Sequence, residues 1–176
     1  MEYKTKRLLI KEFIPEYIPG MYKSWGQDNE VGKYLVGFKK DFTLDEFTEF
    51  IMSNSNTGDN KFVVQEKDNK EIIGYLDLYR EDFRSKTVTL VIEKDKWDKG
   101  YGKEVLSKVS EVERADGLGS LYATCDSHNE RAFKVLEDTK FEDIDSIPNE
   151  RKDINGVVGD EILFELEMIR VHYDTN

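Results

Sequence analysis

The segment Thr87–Val105, TVTLVIEKDKWDKGYGKEV, restricts the chain to a strand that passes through a glycine turn into a helix. Its first half is apolar and β-branched, which suits a buried strand. Gly100-Tyr101-Gly102 follows, and Val105, Leu106, Val109 and Val112 then recur at helical spacing. Glycines between a strand end and a helix start let the backbone approach a bulky anion. The first-turn N–H groups of that helix have no internal partner and can bind phosphate oxygens. The segment ends without the Gly-Lys-Ser/Thr of a Walker loop and lacks the three-glycine dinucleotide fingerprint. Its chemistry is that of a pyrophosphate cradle.

The rest of the chain predicts a mixed α/β layer protein. Strands are expected at Thr5–Phe13, Lys61–Glu66, Glu71–Tyr79, Thr87–Glu93, Leu121–Cys125, Phe141–Ile144 and Glu161–Met168. Helices are expected at Glu16–Gly26, after the capping box Thr43-Leu44-Asp45-Glu46, over Gly102–Ala115 and over Glu130–Asp138. Ser53–Asn60 reads as a loop, as does the polar stretch through Pro148 and Gly156. The 176 residues suit one domain, and 12% aromatics are too many for a disordered chain.

Charge narrows the function. Twenty-six basic residues face 37 acidic ones, a net charge of −11, which argues against nucleic acid as the main partner. An acidic surface attracts a cationic acceptor such as an amine, and it also serves solubility alone. No run of eighteen apolar residues is present, so no membrane span is expected, and the N-terminus does not read as a signal peptide. The lone cysteine, Cys125, excludes an internal disulfide and points to a reducing, cytoplasmic setting, where its plainest role is as a small buried residue. Two histidines and one cysteine offer no metal cluster.

Two motifs carry a family resemblance. Trp97-Asp98-Lys99-Gly100-Tyr101-Gly102 resembles motif A of the GNAT acetyltransferases, and the Rim-type branch (ribosomal-protein N-acetyltransferases and relatives) reads Trp-Gly-Lys-Gly-Tyr there. Asp126-Ser127-His128-Asn129-Glu130-Arg131-Ala132-Phe133 is similar to motif B. The resemblance implies a GNAT acyl-CoA N-acyltransferase fold over residues 1–176: a mostly antiparallel mixed sheet of six to seven strands with about four helices, splayed between the fourth and fifth strands. It implies acetyl-CoA as cosubstrate, no metal, and direct transfer to a primary amine on a protein N-terminus or a small cationic molecule, and it admits a homodimer. A catalytically silent acyl-CoA sensor of the same fold is the alternative.

By the same resemblance, Val91 and Ile92 would meet the acetyl and pantetheine groups through their backbone. Trp97, Asp98, Lys99, Gly100, Tyr101, Gly102 and Lys103 would hold the pyrophosphate. Asn129 would bind the pantetheine or order the cofactor, a role compatible with capping the helix that follows. The departures concern the chemistry itself. Leu136 stands where many members have a tyrosine acid, and Thr87 where Rim-type members have a glutamate. Asp138-Thr139-Lys140-Phe141 replaces Lys-x-Gly-Phe. Asp77, Glu93 and His128 are the candidate substitutes for the base, a well-placed water with no titrating side chain is the alternative, and Trp25, Tyr75 and Tyr79 are the candidate acceptor-pocket aromatics.

Overall fold

The computed structural model describes residues 2–53 and 60–168. It contains one eight-stranded sheet: β1 (Glu2–Lys4), β2 (Leu8–Glu12), β3 (Asn60–Glu66), β4 (Ile72–Arg80), β5 (Ser85–Ile92), β6 (Ser120–Asp126), β7 (Glu142–Lys152) and β8 (Val158–Glu167). Their spatial order is β1-β2-β3-β4-β5-β6-β8-β7. Every neighbouring pair is antiparallel except β5 and β6. A helical stretch through Pro15–Tyr17, α1 (Ile18–Met21) and Tyr22–Gly26 precedes β3, as does α2 (Leu44–Ser53). α3 (Tyr101–Ala115) joins β5 to β6, and α4 (Glu130–Asp138) follows β6.

The sheet departs from the expected six to seven strands in two ways, an added β1 and a β7 longer than expected. Glu2–Lys4 folds back on β2 in a tight hairpin, with Tyr3 opposite Ile10. Its three residues are too few for the alternation that marks a strand. The stretch through Pro148, expected as a loop, lies inside β7. Register shifts fall between Asp143 and Asp145 and between Ile147 and Arg151, and Asn149 is left-handed (φ 57°). β7 is the sheet's outer strand, so Pro148 sits in an edge bulge where its missing N–H interrupts no inner ladder. The loop expected at Ser53–Asn60 lies, apart from its ends, outside the described residues.

The sheet separates two cores. On one face α3 and α4 pack Val105, Leu106, Val109 and Leu136 against Leu76, Leu78, Leu121 and Phe164. On the other, the first helical stretch and α2 pack Met21, Trp25, Phe47 and Ile51 against Val63, Tyr75 and Val91. The capping box at Thr43 forms as expected: Glu46 N–H donates to Thr43 Oγ1 (3.2 Å), and Thr43 N–H to Glu46 Oε2 (2.9 Å). β5 thus lies between two hydrophobic layers, and its side chains alternate between them.

Candidate active site

The site begins where the sheet stops. β5 and β6 pair only over Ser85–Thr87 and Ser120–Tyr122, although β5 continues to Ile92 and β6 to Asp126. Beyond Thr87 the two strands part, and a cavity of about 720 Å³ opens between them. Its walls include Val88–Ile92, Ala123–Cys125, the approach to α3 and the inner side of α4. The splay expected from the family resemblance is therefore present, numbered one strand later because of β1.

At one end of the cavity the chain enters α3. Glu93 leads into a turn at Lys94–Lys96. The Trp97 indole N–H then donates to the Ile92 carbonyl at 2.8 Å, which folds the turn back on β5. Asp98 (φ 57°) and Gly100 (φ 78°) are both left-handed. Gly100 is the N-cap of α3 and supplies no side-chain cap. Among the described residues, no protein oxygen accepts a hydrogen bond from the amides of Lys99, Gly100, Tyr101, Gly102 or Lys103. Five free N–H groups thus stand at a helix N-terminus beside an open cavity, the arrangement that a diphosphate requires. A Cβ on Gly102 would come within 3.3 Å of Val135 on α4, so glycine lets the two helices close on each other here.

Surrounding side chains hold this turn in place. Arg7 donates through Nε to Glu104 (2.7 Å) and through Nη1 to the Lys99 carbonyl (3.0 Å), and its guanidinium lies 3.9 Å over the Tyr101 ring. The Tyr101 hydroxyl donates to Glu66 (2.6 Å), which Lys96 also bridges (2.7 Å). Lys96 and then Tyr101 hold the Glu66 carboxyl below its usual range. Arg131 from α4 stacks 3.8 Å over Trp97 and lies 3.7 Å from Asp98. Lys99, expected among the residues that hold the pyrophosphate, donates from Nζ to the Asp95 carbonyl and is absent from the cavity wall, whereas Lys103 lines it.

Asn129 caps α4: its side-chain oxygen accepts from Ala132 N–H at 3.2 Å, and the residue lines the cavity. Motifs A and B therefore meet across one space, with Val91 and Ile92 on its β5 wall.

The three base candidates do not share that space. Asp77 is in the wall, and its Oδ2 accepts from the Tyr75 hydroxyl (3.3 Å) and lies 3.6 Å from Lys61 Nζ. Glu93 is not in the wall. It accepts from Ser24 Oγ (2.7 Å), and burial raises its carboxyl against the pull of that bond. His128 is also outside the wall; its Nδ1 and backbone N–H both engage Asp126 Oδ1, at 3.0 and 2.8 Å. Thr87 donates its hydroxyl to Glu81 (2.7 Å). Trp25 and Tyr75 line the cavity, but Tyr79 does not; it is 40% exposed on the outer part of β4. Cys125 lines the cavity as a buried residue whose thiol burial pushes up to about 12, which removes thiolate character at neutral pH.

Arg7, Arg131 and Arg151 escaped the sequence reading. Arg151, which pairs with Glu161 at 2.9 Å and donates to Thr124 at 2.8 Å, enters the wall from β7. Arg131 alone had a local signal, its place inside motif B.

Comparison with known proteins agrees with this geometry. A search of the curated proteins found no match. Among solved structures, an acetyltransferase of the GNAT family from Bacillus anthracis superposes with TM-score 0.81 at 20% identity, covering 96% of this chain and 99% of that one. RimL, a ribosomal-protein alpha-N-acetyltransferase in complex with coenzyme A, superposes with TM-score 0.84 at 10% identity, covering 96% and 98%. Spermidine N-acetyltransferase from Vibrio cholerae, in complex with CoA and spermine, gives 0.76 at 17%, covering 92% and 95%. At these identities the likeness is one of fold. The model of the acetyltransferase (GNAT) domain matches residues 7–142, which include the splay, the α3 turn and the Asn129 cap, and the chain belongs to the GNAT family of acyltransferases.

Proposed function

We propose that this protein, as a single catalytic domain of the Rim-type branch, transfers an acetyl group from acetyl-CoA directly to a primary amine in the cytoplasm. The observation that carries the reading is the row of free amides from Gly100 to Lys103, which lines the gap between β5 and β6. The residues fit the cosubstrate: amides for the diphosphate, Asn129 at the wall for the pantetheine, and the open edge of β5 for the thioester end. Acetyl-CoA supplies an activated acyl group. The chain supplies placement, which converts a two-body encounter into a local one. Val91 is committed to Tyr75 on β4 and the Ile92 carbonyl to the Trp97 indole, so on this edge it is the Ile92 N–H that faces the unpaired side of β5 and can meet developing carbonyl charge.

Proton movement follows from what surrounds each candidate. Asp77, the one base candidate in the wall, already lies 3.6 Å from Lys61 Nζ, and its place there suits it to draw the incoming ammonium. The proton goes to water, and the leaving thiolate is protonated from solvent, since position 136 carries leucine. Calorimetry with acetyl-CoA, combined with a thiol-release assay on a mixed pool of primary amines, tests the reading. Micromolar binding and amine-dependent thiol release are expected. Binding without release on any amine would favour the silent sensor, and affinity for ATP with none for CoA would overturn both.

A further inference from the structure

The half of the cavity that faces the first helical stretch and α2 is walled mainly by apolar side chains. Val31, Leu35, Val36, Phe50 and Ile51 contribute to it, and Val36 is 73% exposed. Two carboxylates enter this half, and each already faces a cation. Asp77 lies 3.6 Å from Lys61 Nζ, and Glu30 lies 2.8 Å from Lys94 Nζ. The cavity's other carboxylates among the described residues, Asp98 and Asp138, come from the α3 approach and from α4. Arg151 adds a further positive charge from β7.

A polyamine brings two or more ammonium groups into this space. Each needs a carboxylate to offset its lost hydration, and the wall has one shared carboxylate near β5. A single ammonium is matched by Asp77, while the rest of the acceptor would lie against Val31, Leu35 and Val36. The register supports that placement. Asp77 and Tyr75 share one face of β4, opposite Thr89 and Val91, and all four line the cavity.

We infer that the acceptor is a primary amine attached to an apolar body, not a polyamine. This rests on the acetyl-transfer reading above. Two sources share this chemistry, a free arylalkyl or alkyl amine and a peptide N-terminus whose first side chain is apolar.

The test compares 2-phenylethylamine, a pentapeptide that begins with phenylalanine, and spermidine under saturating acetyl-CoA, with products identified by mass. At least one apolar acceptor should exceed spermidine by ~10-fold or more in kcat/KM. Val36→Asp, at an exposed position, should shrink that ratio ~5-fold or more while calorimetric affinity for acetyl-CoA is retained. Turnover of both apolar acceptors identifies a free amine as sufficient, and turnover of the peptide alone identifies a chain terminus. Equal or better turnover of spermidine, or a ratio unmoved by Val36→Asp, overturns the inference and leaves the transfer reading intact. Silence from all three acceptors, with acetyl-CoA still bound, overturns both.

Discussion

Gly100 and Gly102 are one residue apart and are glycine for different reasons. Gly100 is left-handed at φ 78°, with only Arg7 Nη2 near a would-be Cβ, at 3.6 Å. Its requirement is conformational, and an L side chain there costs about 1–2 kcal/mol. Gly102 is constrained by space, since α4 approaches it. Gly100→Ala should therefore lower stability by about 1 kcal/mol and keep CoA binding. Gly100→Glu should weaken CoA by more than about tenfold, because a carboxylate meets the diphosphate. Calorimetry separates the two variants, and unchanged affinity in Gly100→Glu would remove the turn from the site. The motif spacing made both glycines legible. It could not show that Lys99 turns away to Asp95 or that Glu93 bonds Ser24, because those partners lie in other parts of the turn and fold.

At the scale of elements, two carboxylates of α3 tie it to its surroundings, Glu113 to β5 and Glu104 to the turn between β1 and β2. Lys86 on β5 and Glu113 on α3 form a pair at 2.7 Å, both almost wholly buried. Breaking such a pair strands a charge, whereas replacing both members by apolar residues is close to neutral. Lys86→Met should cost about 3–5 kcal/mol, and Lys86→Met with Glu113→Leu should recover most of it, as read from denaturant midpoints. Equal loss in single and double variants would contradict the pairing. The second contact is Glu104. Burial pushes its carboxyl up, but bonds from Thr5, the Arg7 backbone and the Arg7 guanidinium outweigh burial and leave it below the usual 4.5. A lowered folded value means stability that is present above the unfolded value and lost as pH falls through the folded one. Glu104→Gln should flatten the acid limb of a stability–pH curve below about pH 4.5; an unchanged limb would deny the linkage. Helix ends and strand cores followed from periodicity and caps, as at Asn129. The edge strand β7 followed only at its start, Phe141–Ile144; the rest did not, because an outer strand with a bulge has no alternation and can hold Pro148.

For the molecule as a whole, the cavity is a consequence of topology. β6 runs parallel to β5 because α3 carries the chain across, and the pairing ends after three residues. Ligand that binds only the folded state should raise its stability. At a hundredfold excess over Kd the gain is about 2.7 kcal/mol, which for a chain of this length is roughly 5–10 °C in Tm. Thermal unfolding with and without acetyl-CoA checks this, and no shift at saturating ligand would remove coenzyme A as the occupant. The sequence by itself determined the strand–turn–helix unit, the paired motifs and the α/β class, because periodicity, caps and glycine conformations are local. Only the tertiary structure decided where β5 and β6 part, which of Asp77, Glu93 and His128 reaches the gap, and that Arg131 and Arg151 line the gap while Arg7 braces the turn before α3. These are contacts between residues distant in the chain, and no local spacing encodes them.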